Sequence, residues 1–312
     1  KKSKPLRDEI MDYKKIIKSR AVRIRIMQAL SFVPDKTMLG IQYRIKMGRK
    51  LNLKDPKRYT EKLQWYKLYY RDPLMAQCVD KYEVRKYVES CGLGNILNEC
   101  YGVYETPDEI DFDSLPDQFV LKDTLGGGGN GVIICSDKST LDIPQAVKTM
   151  RNWVKPVSGK HPGREWVYDQ RKNRVIIEKY IPSDSDKGGL IDYKFFCFNG
   201  KIAYVYGIAD RRVGQKAGLG IFTPEFELLP YTRLDEKPLE RTLEKPDNYE
   251  QLKQVAEKLA APFPHARIDL YDQYGKILFG EITFFDGSGY MKFGPDEFDF
   301  MMGEKFILPS RN

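Results

Sequence analysis

The sequence predicts an α+β protein rather than a doubly wound parallel sheet. Three observations support this fold class: helical periodicity dominates the first part of the chain, short β-rich runs separated by glycines begin at Phe119, and hairpin signals dominate the last third. The 312 residues are enough for a core spread over two or three lobes. No stretch approaches 18 consecutive apolar residues, so we expect no transmembrane helix.

Residues 1–50 are predicted to form a basic, helical N-terminal segment. They contain 15 Lys+Arg and 4 Asp+Glu, whereas the remaining residues contain 37 and 40, so the net charge of +8 originates here. Apolar residues recur at a loosely helical, amphipathic spacing over 8–30, without the uninterrupted apolar core of a signal peptide. Such a patch indicates a membrane surface or an anionic glycan as partner, or only a solvated helix face. Nucleic acid is not expected, because neither zinc-finger spacing nor an RNA-recognition signature is present.

The cysteine and histidine content limits the kinds of active site and metal site that the chain can form. The number of cysteines, five, is odd, and no two of them have Cys-x-x-Cys spacing. This pattern predicts reduced thiols in a cytoplasmic protein. With only His161 and His265 present, a Ser-His-Asp mechanism or a histidine-rich zinc site would depend on one of these two. We therefore expect carboxylates, lysines and arginines to carry the function.

Residues 51–117 are predicted to be helical. Asp55 and Pro56 open one helical region, whose bulky positions are expected to face the core, and a second helix is predicted over 74–88.

Residues 118–182 are predicted to form a β-rich lobe. Strands over 119–122 and 132–135 flank a glycine loop made of Gly126, Gly127, Gly128, Gly129 and Gly131 with Asn130. Because glycines let backbone N–H groups surround phosphate oxygens, this loop indicates a flap over phosphates, with Lys122 supplying a nearby charge. It is not a Walker A loop, since no Gly-Lys-Ser/Thr follows. A flexible hairpin tip is the alternative.

A buried strand over 174–181 is predicted to end this lobe before Pro182. The backbone of Lys179, Tyr180 and Ile181 could pair with adenine, with the Glu178 carboxylate accepting from its amino group. An ordinary salt-bridged strand end is the alternative.

Residues 183–312 are predicted to form the last lobe. Asn199-Gly200 is a strong two-residue hairpin signal between strands over 193–198 and 202–206, and a helix is predicted over 249–261. Two further strands are predicted over 267–271 and 277–285.

These last two strands bring Asp269 and Glu281 together. If the turn consists of residues 274–276, Asp269 lies opposite Glu281, and Arg267 lies opposite Thr283 on the same face. Two carboxylates this close suit Mg²⁺, which proteins hold through one or two carboxylates and nucleotide phosphates. Arg267 could then stabilise charge on a transferring phosphoryl group. The alternative is an exposed hairpin face neutralised by Arg267 and Lys276.

Taken in order, these segments resemble the TupA-like family of the ATP-grasp superfamily, found among polysaccharide-assembly proteins. The resemblance spans roughly residues 40–300. The segments that carry it are 52–62 (NLKDPKRYTEK) with Trp65, 80–82 (DKY) with 84–85 (VR), 115–122 (LPDQFVLK), 178–180 (EKY), 192–200 (DYKFFCFNG), 267–271 (RIDLY) and 280–284 (GEITF).

The resemblance implies an ATP-grasp fold, in which two α+β lobes clamp ATP, and it implies roles for the matching residues. Lys81 and Lys122 would contact phosphates under the glycine loop, and residues 178–181 would hold adenine. Lys194 would reach a phosphate, which makes Lys194 and Arg267 the catalytic candidates. The implied magnesium ligands are Asp269, Glu281 and Thr283, the last standing where many ATP-grasp enzymes carry asparagine.

The activity implied is that of an ADP-forming ligase that joins a carboxylate to an amine through an acyl phosphate. The implied substrate is a uronic-acid carboxylate of a surface or capsular polysaccharide, coupled to an amino acid or another amine. A kinase acting on a glycan hydroxyl and a glycosyltransferase of polysaccharide assembly are the alternatives. Residues 1–50 could contact a polyanionic glycan or the inner face of the membrane.

Overall fold

The computed structural model describes residues 19–127, 131–156, 159–182, 190–210 and 217–310. Within them, a four-stranded and a six-stranded β-sheet line opposite sides of a cleft, and helices cover the larger sheet. This mixture of helices and largely antiparallel sheets confirms the α+β prediction.

Five α-helices precede the first strand of the described chain. They are α1 (Arg20–Ala29), α2 (Asp35–Met47), α3 (Tyr59–Tyr69), α4 (Pro73–Cys78) and α5 (Val84–Ser90). Local chemistry sets their ends: the Asp72 carboxylate accepts a bond from the Leu74 N–H at the start of α4. Gly48 ends α2 in the left-handed region, at φ 73°.

The single helix predicted over 74–88 is divided in two. Asp80 causes the break, because its carboxylate accepts bonds from the N–H groups of Tyr82 and Glu83, at 2.8 and 3.0 Å. Such side-chain bonds compete with the helical pattern. The N–H of Lys81 consequently donates to the Thr124 carbonyl, at 2.9 Å, and fixes Lys81 beside the smaller sheet.

The smaller sheet has the strand order β1–β4–β2–β3. The strands are β1 (Cys100–Tyr104), β2 (Phe119–Asp123), β3 (Val132–Cys135) and β4 (Val175–Lys179), and α6 (Ile143–Trp153) contributes to their core. Strands β2, β3 and β4 confirm the predictions. Strand β1 lies within 51–117, which was predicted to be helical, and that prediction is wrong there. Pairing with β4, more than 70 residues away, stabilises β1, and local patterning cannot reveal it.

The larger sheet has the strand order β11–β10–β5–β6–β7–β9. Its elements and neighbours are β5 (Asp192–Phe198), β6 (Lys201–Ala209), β7 (Gly218–Phe222), β8 (Thr232–Arg233), β9 (Lys237–Pro238), α7 (Tyr249–Ala260), β10 (His265–Gln273), β11 (Lys276–Thr283), β12 (Phe293–Gly294) and α8 (Glu297–Lys305). Asn199 and Gly200 form the predicted two-residue turn, both with positive φ.

The β10–β11 hairpin has the predicted register but not the predicted turn. Its turn has two residues, Tyr274 and Gly275, with φ of 54° and 86°, and Gln273 pairs with Lys276. A β-bulge at Gly280 adds the missing residue and restores the pairing of Asp269 with Glu281. A Cβ atom at Gly280 would lie 2.9 Å from the Asp269 carbonyl oxygen, so glycine is required there.

His265 connects α3 to the larger sheet. Its Nδ1 lies 3.0 Å from the Cys197 carbonyl oxygen, its Nε2 lies 2.9 Å from the Tyr59 hydroxyl, and its ring stacks on Phe198. Because a carbonyl only accepts, Nδ1 carries the proton and Nε2 accepts from Tyr59. Burial lowers the pKa of His265 to about 4.

We expect His265 to make the fold acid-sensitive. Its folded-state pKa lies below the ordinary value of 6.5, so the unfolded chain binds the proton first. The stability that the neutral His265 contributes is therefore complete above pH 6.5, and it falls by ~3 kcal/mol as the pH drops to about 4. Urea unfolding across this range should show a shallower acid loss for His265→Phe than for the wild type. Tyr59→Phe, which keeps the imidazole, should retain the loss, and equal slopes for wild type and His265→Phe would contradict the assignment.

All five cysteines are free thiols, as predicted, and Cys78, Cys135 and Cys197 are buried. Among the described residues, no helix combines the length and the apolar character needed to cross a membrane.

Candidate active site

A cleft of about 780 Å³ lies between the two sheets, within the range of ligand and cofactor sites. It brings together most of the residues selected from the sequence: Lys81, Lys122, Gly126, Gly127, Glu178, Ile181, Lys194, Arg267, Asp269, Glu281 and Thr283. Lys179 and Tyr180 do not line it. Gly128 and Gly129 lie outside the described residues.

The base of the glycine loop is held by Lys81 and Asp123. The Lys81 ammonium donates to the Gly126 carbonyl, at 2.5 Å, and burial lowers its pKa. The Asp123 side chain folds beneath the loop: Cβ atoms added at Gly126 and Gly131 would lie 2.8 and 2.5 Å from it. Two of the glycines are therefore required by packing, in addition to any contact with phosphate.

On the lid side, Lys122 and Glu178 form an ion pair at 2.6 Å, and Arg85 lies 3.7 Å from the other oxygen of Glu178. Glu178 thus lies at a salt-bridged strand end, which was the alternative to adenine binding that the sequence left open. Both partners line the cleft, so a bound nucleotide would have to compete for either of them.

The strand end after Glu178 is partly occupied by its own chain. The Lys179 N–H donates to the Glu99 carbonyl at 2.9 Å, and the Lys179 carbonyl accepts from the Asn98 amide at 2.8 Å. The Lys179 side chain is exposed and pairs with Glu99. Adenine binding by the backbone of Lys179 to Ile181 remains a prediction, and Ile181 is the member of this stretch that lines the cleft.

At the opposite end, Arg267 joins the predicted metal ligands. Its Nε and Nη2 each donate to the Asp269 carboxylate at 2.7 Å, and Lys194 donates to the same carboxylate. Nη2 also donates to Glu281, at 2.8 Å, and to the Thr283 hydroxyl, at 3.0 Å. A cation therefore lies between the two carboxylates, as their close approach requires, and this cation is Arg267.

The two carboxyl groups differ in exposure and in proton affinity. Asp269 is buried, and burial raises its pKa to about 7 against the attraction of Arg267 and Lys194. Glu281 leaves 43% of its side chain accessible to water in the cleft. Burial by the surrounding protein opposes ionisation of Glu281. The positive charges of Arg267, Lys194 and Lys81, in that order, outweigh the effect of burial and hold the pKa of Glu281 at about 2. At neutral pH, Glu281 is thus the ionised carboxylate that faces the cleft.

This donor set fits one magnesium ion that completes its coordination with phosphates and water. Glu281 is accessible, Thr283 lies beside it with its hydroxyl 3.2 Å from the carboxylate, and Asp269 is covered by Arg267 and Lys194. In the described parts of the chain, no cluster of three or more histidine, cysteine or acidic side chains could form an all-protein metal cage.

Six charged residues of the described chain line the cleft but were not selected from the sequence. Asp192, Arg233 and Asp286 are the three that take part in the ion pairs around Arg267 and Lys194. Asp286 accepts bonds from Arg267 and from Arg233, the latter at 3.3 Å, and Asp192 pairs with Lys194 at 2.8 Å. Asp192 and Lys194 alternate on one strand, which was a usable signal. Nothing in the sequence connects Arg233 with Asp286, because 53 residues separate them.

A family model described as TupA-like ATPgrasp matches residues 61–307 of the chain. No sequence among the curated proteins matches it. Similar solved structures include a D-alanine–D-alanine ligase from Bacillus anthracis, with 19% identity and a TM-score of 0.43 over 66% of this chain and 57% of that one. A biotin carboxylase from Campylobacter jejuni has 16% identity and a TM-score of 0.43 over 76% of this chain and 48% of that one. The chain thus spans about half the length of these two proteins.

Proposed function

Because this chain belongs to the TupA-like ATP-grasp family and has the ATP-grasp fold, we propose that it is an ATP-dependent ligase that joins a carboxylate to an amine and releases ADP. One observation carries the proposal. Lysines and a glycine loop suited to phosphates, and carboxylates suited to magnesium, face the same cleft from opposite sheets.

In the proposed reaction, a carboxylate oxygen of the acid substrate attacks the γ-phosphorus of ATP, and the bond from that phosphorus to ADP breaks. The nitrogen of an amine then attacks the acyl carbon, phosphate leaves, and the nitrogen gives up a proton. Positioning and charge neutralisation dominate such phosphoryl transfer. This agrees with a cleft lined by lysines, arginines and carboxylates, where neither histidine takes part.

The side chains divide this task. Lys81 and Lys122 bind phosphates, and the glycine loop covers them and keeps water from the acyl phosphate. Arg267 and Lys194 stabilise the negative charge of the transferring phosphoryl group. Bound magnesium, held by Glu281 with Asp269 and Thr283, would neutralise phosphate charge. Glu178 and the backbone at Ile181, which line the cleft, hold the adenine at the end of the stretch 179–181.

We further propose that the acid is a uronic-acid carboxylate of a surface or capsular polysaccharide, and that the amine is an amino acid or another amine. Membership of the TupA-like family, which is named for teichuronopeptide synthesis, supports this choice. A glycan kinase would use the same cleft, and the products distinguish the two activities.

The test is ADP release from ATP and magnesium across a panel of uronates and amino acids, with Glu281→Gln as the inactive control. The ligase predicts release only when an acid and an amine are both present, together with formation of an amide. A stable phosphorylated glycan formed without amine would favour the kinase. If ATP is neither bound nor consumed, the proposed function is wrong.

We also propose that the basic N-terminal segment contacts an anionic membrane surface on the cytoplasmic side. Helix α2 presents Ile41 and Ile45, 48% and 39% exposed, in one surface groove with the exposed cations Arg44 and Lys50. Phe32, just before this helix, is 80% exposed. Apolar side chains flanked by cations are typical of surfaces that bind anionic lipid headgroups.

Vesicles that contain phosphatidylglycerol are therefore expected to sediment the wild-type protein, and added salt should weaken this binding. The double variant Ile41→Asp, Ile45→Asp should bind several-fold less, because it replaces apolar contact with like-charge repulsion. Ile134→Asp changes an isoleucine of β3 that is 59% exposed and serves as the matched control. Equal sedimentation of all three proteins would contradict the proposal.

A further inference from the structure

One arginine of the cleft has no role in the proposed contacts with nucleotide and metal. Arg233, on β8, lines the cleft with 10% of its side chain exposed. Its Nη1 donates to one oxygen of Asp286, at 3.3 Å, and Arg267 donates to the other oxygen. A single carboxylate thus joins the two guanidinium groups, and Arg233 lies next to the residue proposed to stabilise the transferring phosphoryl group.

The outer edge of the Arg233 guanidinium already holds a carboxylate. Its Nε and Nη2 donate to the two oxygens of Asp235, at 3.1 and 2.7 Å, which is the two-pronged geometry by which arginine recognises carboxylates. Asp235 belongs to the turn between β8 and β9, and 54% of its side chain is exposed. Water screens the exposed Asp235 side of this pair, so we expect a carboxylate that enters the cleft to compete with Asp235 for Arg233.

A hydroxyl group without a partner lies near this arginine. Tyr206, on β6, lines the cleft and is 1% exposed, and its hydroxyl has no hydrogen-bond partner in the part of the chain that the structure describes. Tyr206 and Arg233 both line the cleft. Burial raises the pKa of Tyr206, and among the charged groups Arg233 opposes that rise most. Buried hydroxyls are costly when unpaired, and because this one belongs to a residue that lines the cleft, a ligand bound there can supply its partner.

We propose that Arg233 and Tyr206 form the binding site for the carboxylate of the acid substrate. The acid takes the place of Asp235 on Nε and Nη2 of Arg233, and the Tyr206 hydroxyl donates a hydrogen bond to it. Asp235 occupies the site in the free protein and so competes with the substrate. This inference rests on the proposed ligase function, which requires a carboxylate next to Arg267.

Two substitutions probe the site with little effect on the fold. Tyr206→Phe removes an oxygen that bonds to no described residue in the free protein, and Asp235→Asn changes an exposed turn. Tyr249→Phe is the matched control, because Tyr249 on α7 also has a buried hydroxyl without a described partner but does not line the cleft. The probe is sodium glucuronate, titrated calorimetrically without nucleotide, and ATP binding is measured separately on the same proteins.

Relative to the wild type, Asp235→Asn should bind glucuronate about fivefold more tightly, because the carboxylate that competes for Arg233 is lost. Tyr206→Phe should bind it about tenfold more weakly, through loss of a hydrogen bond to a charged group. Tyr249→Phe should match the wild type.

The site is refuted if Asp235→Asn does not bind glucuronate, or if Tyr206→Phe and Asp235→Asn bind it as the wild type does. Failure of the ligase proposal looks different. If the four proteins show the expected glucuronate affinities but the wild type binds no ATP, the ligase function is refuted and the carboxylate site is not.

Discussion

The Glu281→Gln protein is expected to release ADP at least ~100-fold more slowly than the wild type. Glu281 is the accessible, ionised carboxylate of the predicted metal site, with a pKa of about 2. A glutamine has the same shape but offers a neutral oxygen, which binds magnesium poorly compared with a carboxylate. Charge on the transferring phosphoryl group would then be neutralised by Arg267 and Lys194 alone.

The fold should tolerate this change. Arg267 would keep its bonds to Asp269 and Asp286, and the substituted side chain is 43% exposed. Steady-state ADP release and the unfolding temperature should be measured together, at several magnesium concentrations. Because a weakened metal site is filled at higher concentration, excess magnesium should restore part of the rate.

Glu225→Gln, at an exposed position outside the cleft, is the matched control and should leave the rate unchanged. A Glu281→Gln protein with the wild-type rate at limiting magnesium would show that this carboxylate does not hold the metal.

The hairpin that carries Glu281 illustrates how far sequence reasoning reaches. Side chains alternate along a strand, so Arg267 and Asp269 had to share a face whatever the turn. The predicted turn was one residue too long, and the bulge at Gly280 compensated for the error. The predicted pairing of Asp269 with Glu281 is correct only because Gly280 permits a bulge. The residues of the turn alone do not reveal that bulge.

The charges that surround this hairpin could not be predicted in the same way. Arg233 lies on β8, which pairs with β12 over two residues in each strand, and Asp286 lies in a short 3-10 helix before β12. Strands this short carry no periodic signal. Strand β1 was missed for a related reason, since its pairing with β4 is long-range. Sequence patterning thus selected the residues predicted to bind nucleotide and metal, but not the residues proposed to hold the acid.

The structure also shows that the cleft is electrostatically balanced without a ligand. Lys122 pairs with Glu178, and Lys194 pairs with Asp192 and Asp269. A phosphate that approaches either lysine must compete with a carboxylate already in place, which weakens binding of the bare nucleotide. Magnesium would offset this by attracting the carboxylates that the phosphates displace.

Arg267 is the centre of this balance, and its replacement is expected to have the largest effect on stability. Arg267→Met should lower the free energy of unfolding at neutral pH by about 3–5 kcal/mol. Methionine fills much of the same volume, but it leaves the buried carboxylates of Asp269 and Asp286 without their main cation. The surrounding lysine and arginine, Lys194 and Arg233, each compensate only one of the two.

The loss should depend on pH with a definite sign. Removing Arg267 raises the pKa of Asp269 and Asp286, so both bind protons more readily in the folded variant than in the unfolded chain. Stability of the variant therefore recovers as the pH falls. In the wild type, Asp269 already has a pKa raised to about 7 and behaves in the same direction. Asp286 behaves oppositely there and loses its contribution in acid, because Arg267 and Arg233 hold its pKa below the ordinary value despite burial. The difference between the two proteins should shrink from neutral towards acidic pH.

Urea unfolding of both proteins over this pH range tests the expectation. Arg241→Met, at a half-exposed arginine paired with Asp210, is the matched control and should cost no more than ~1 kcal/mol at any pH. Adding Asp286→Asn to Arg267→Met should recover part of the loss, because one uncompensated charge disappears. A small difference that stays constant with pH would mean that Arg267 is needed for the chemistry of the cleft but not for the stability of the fold.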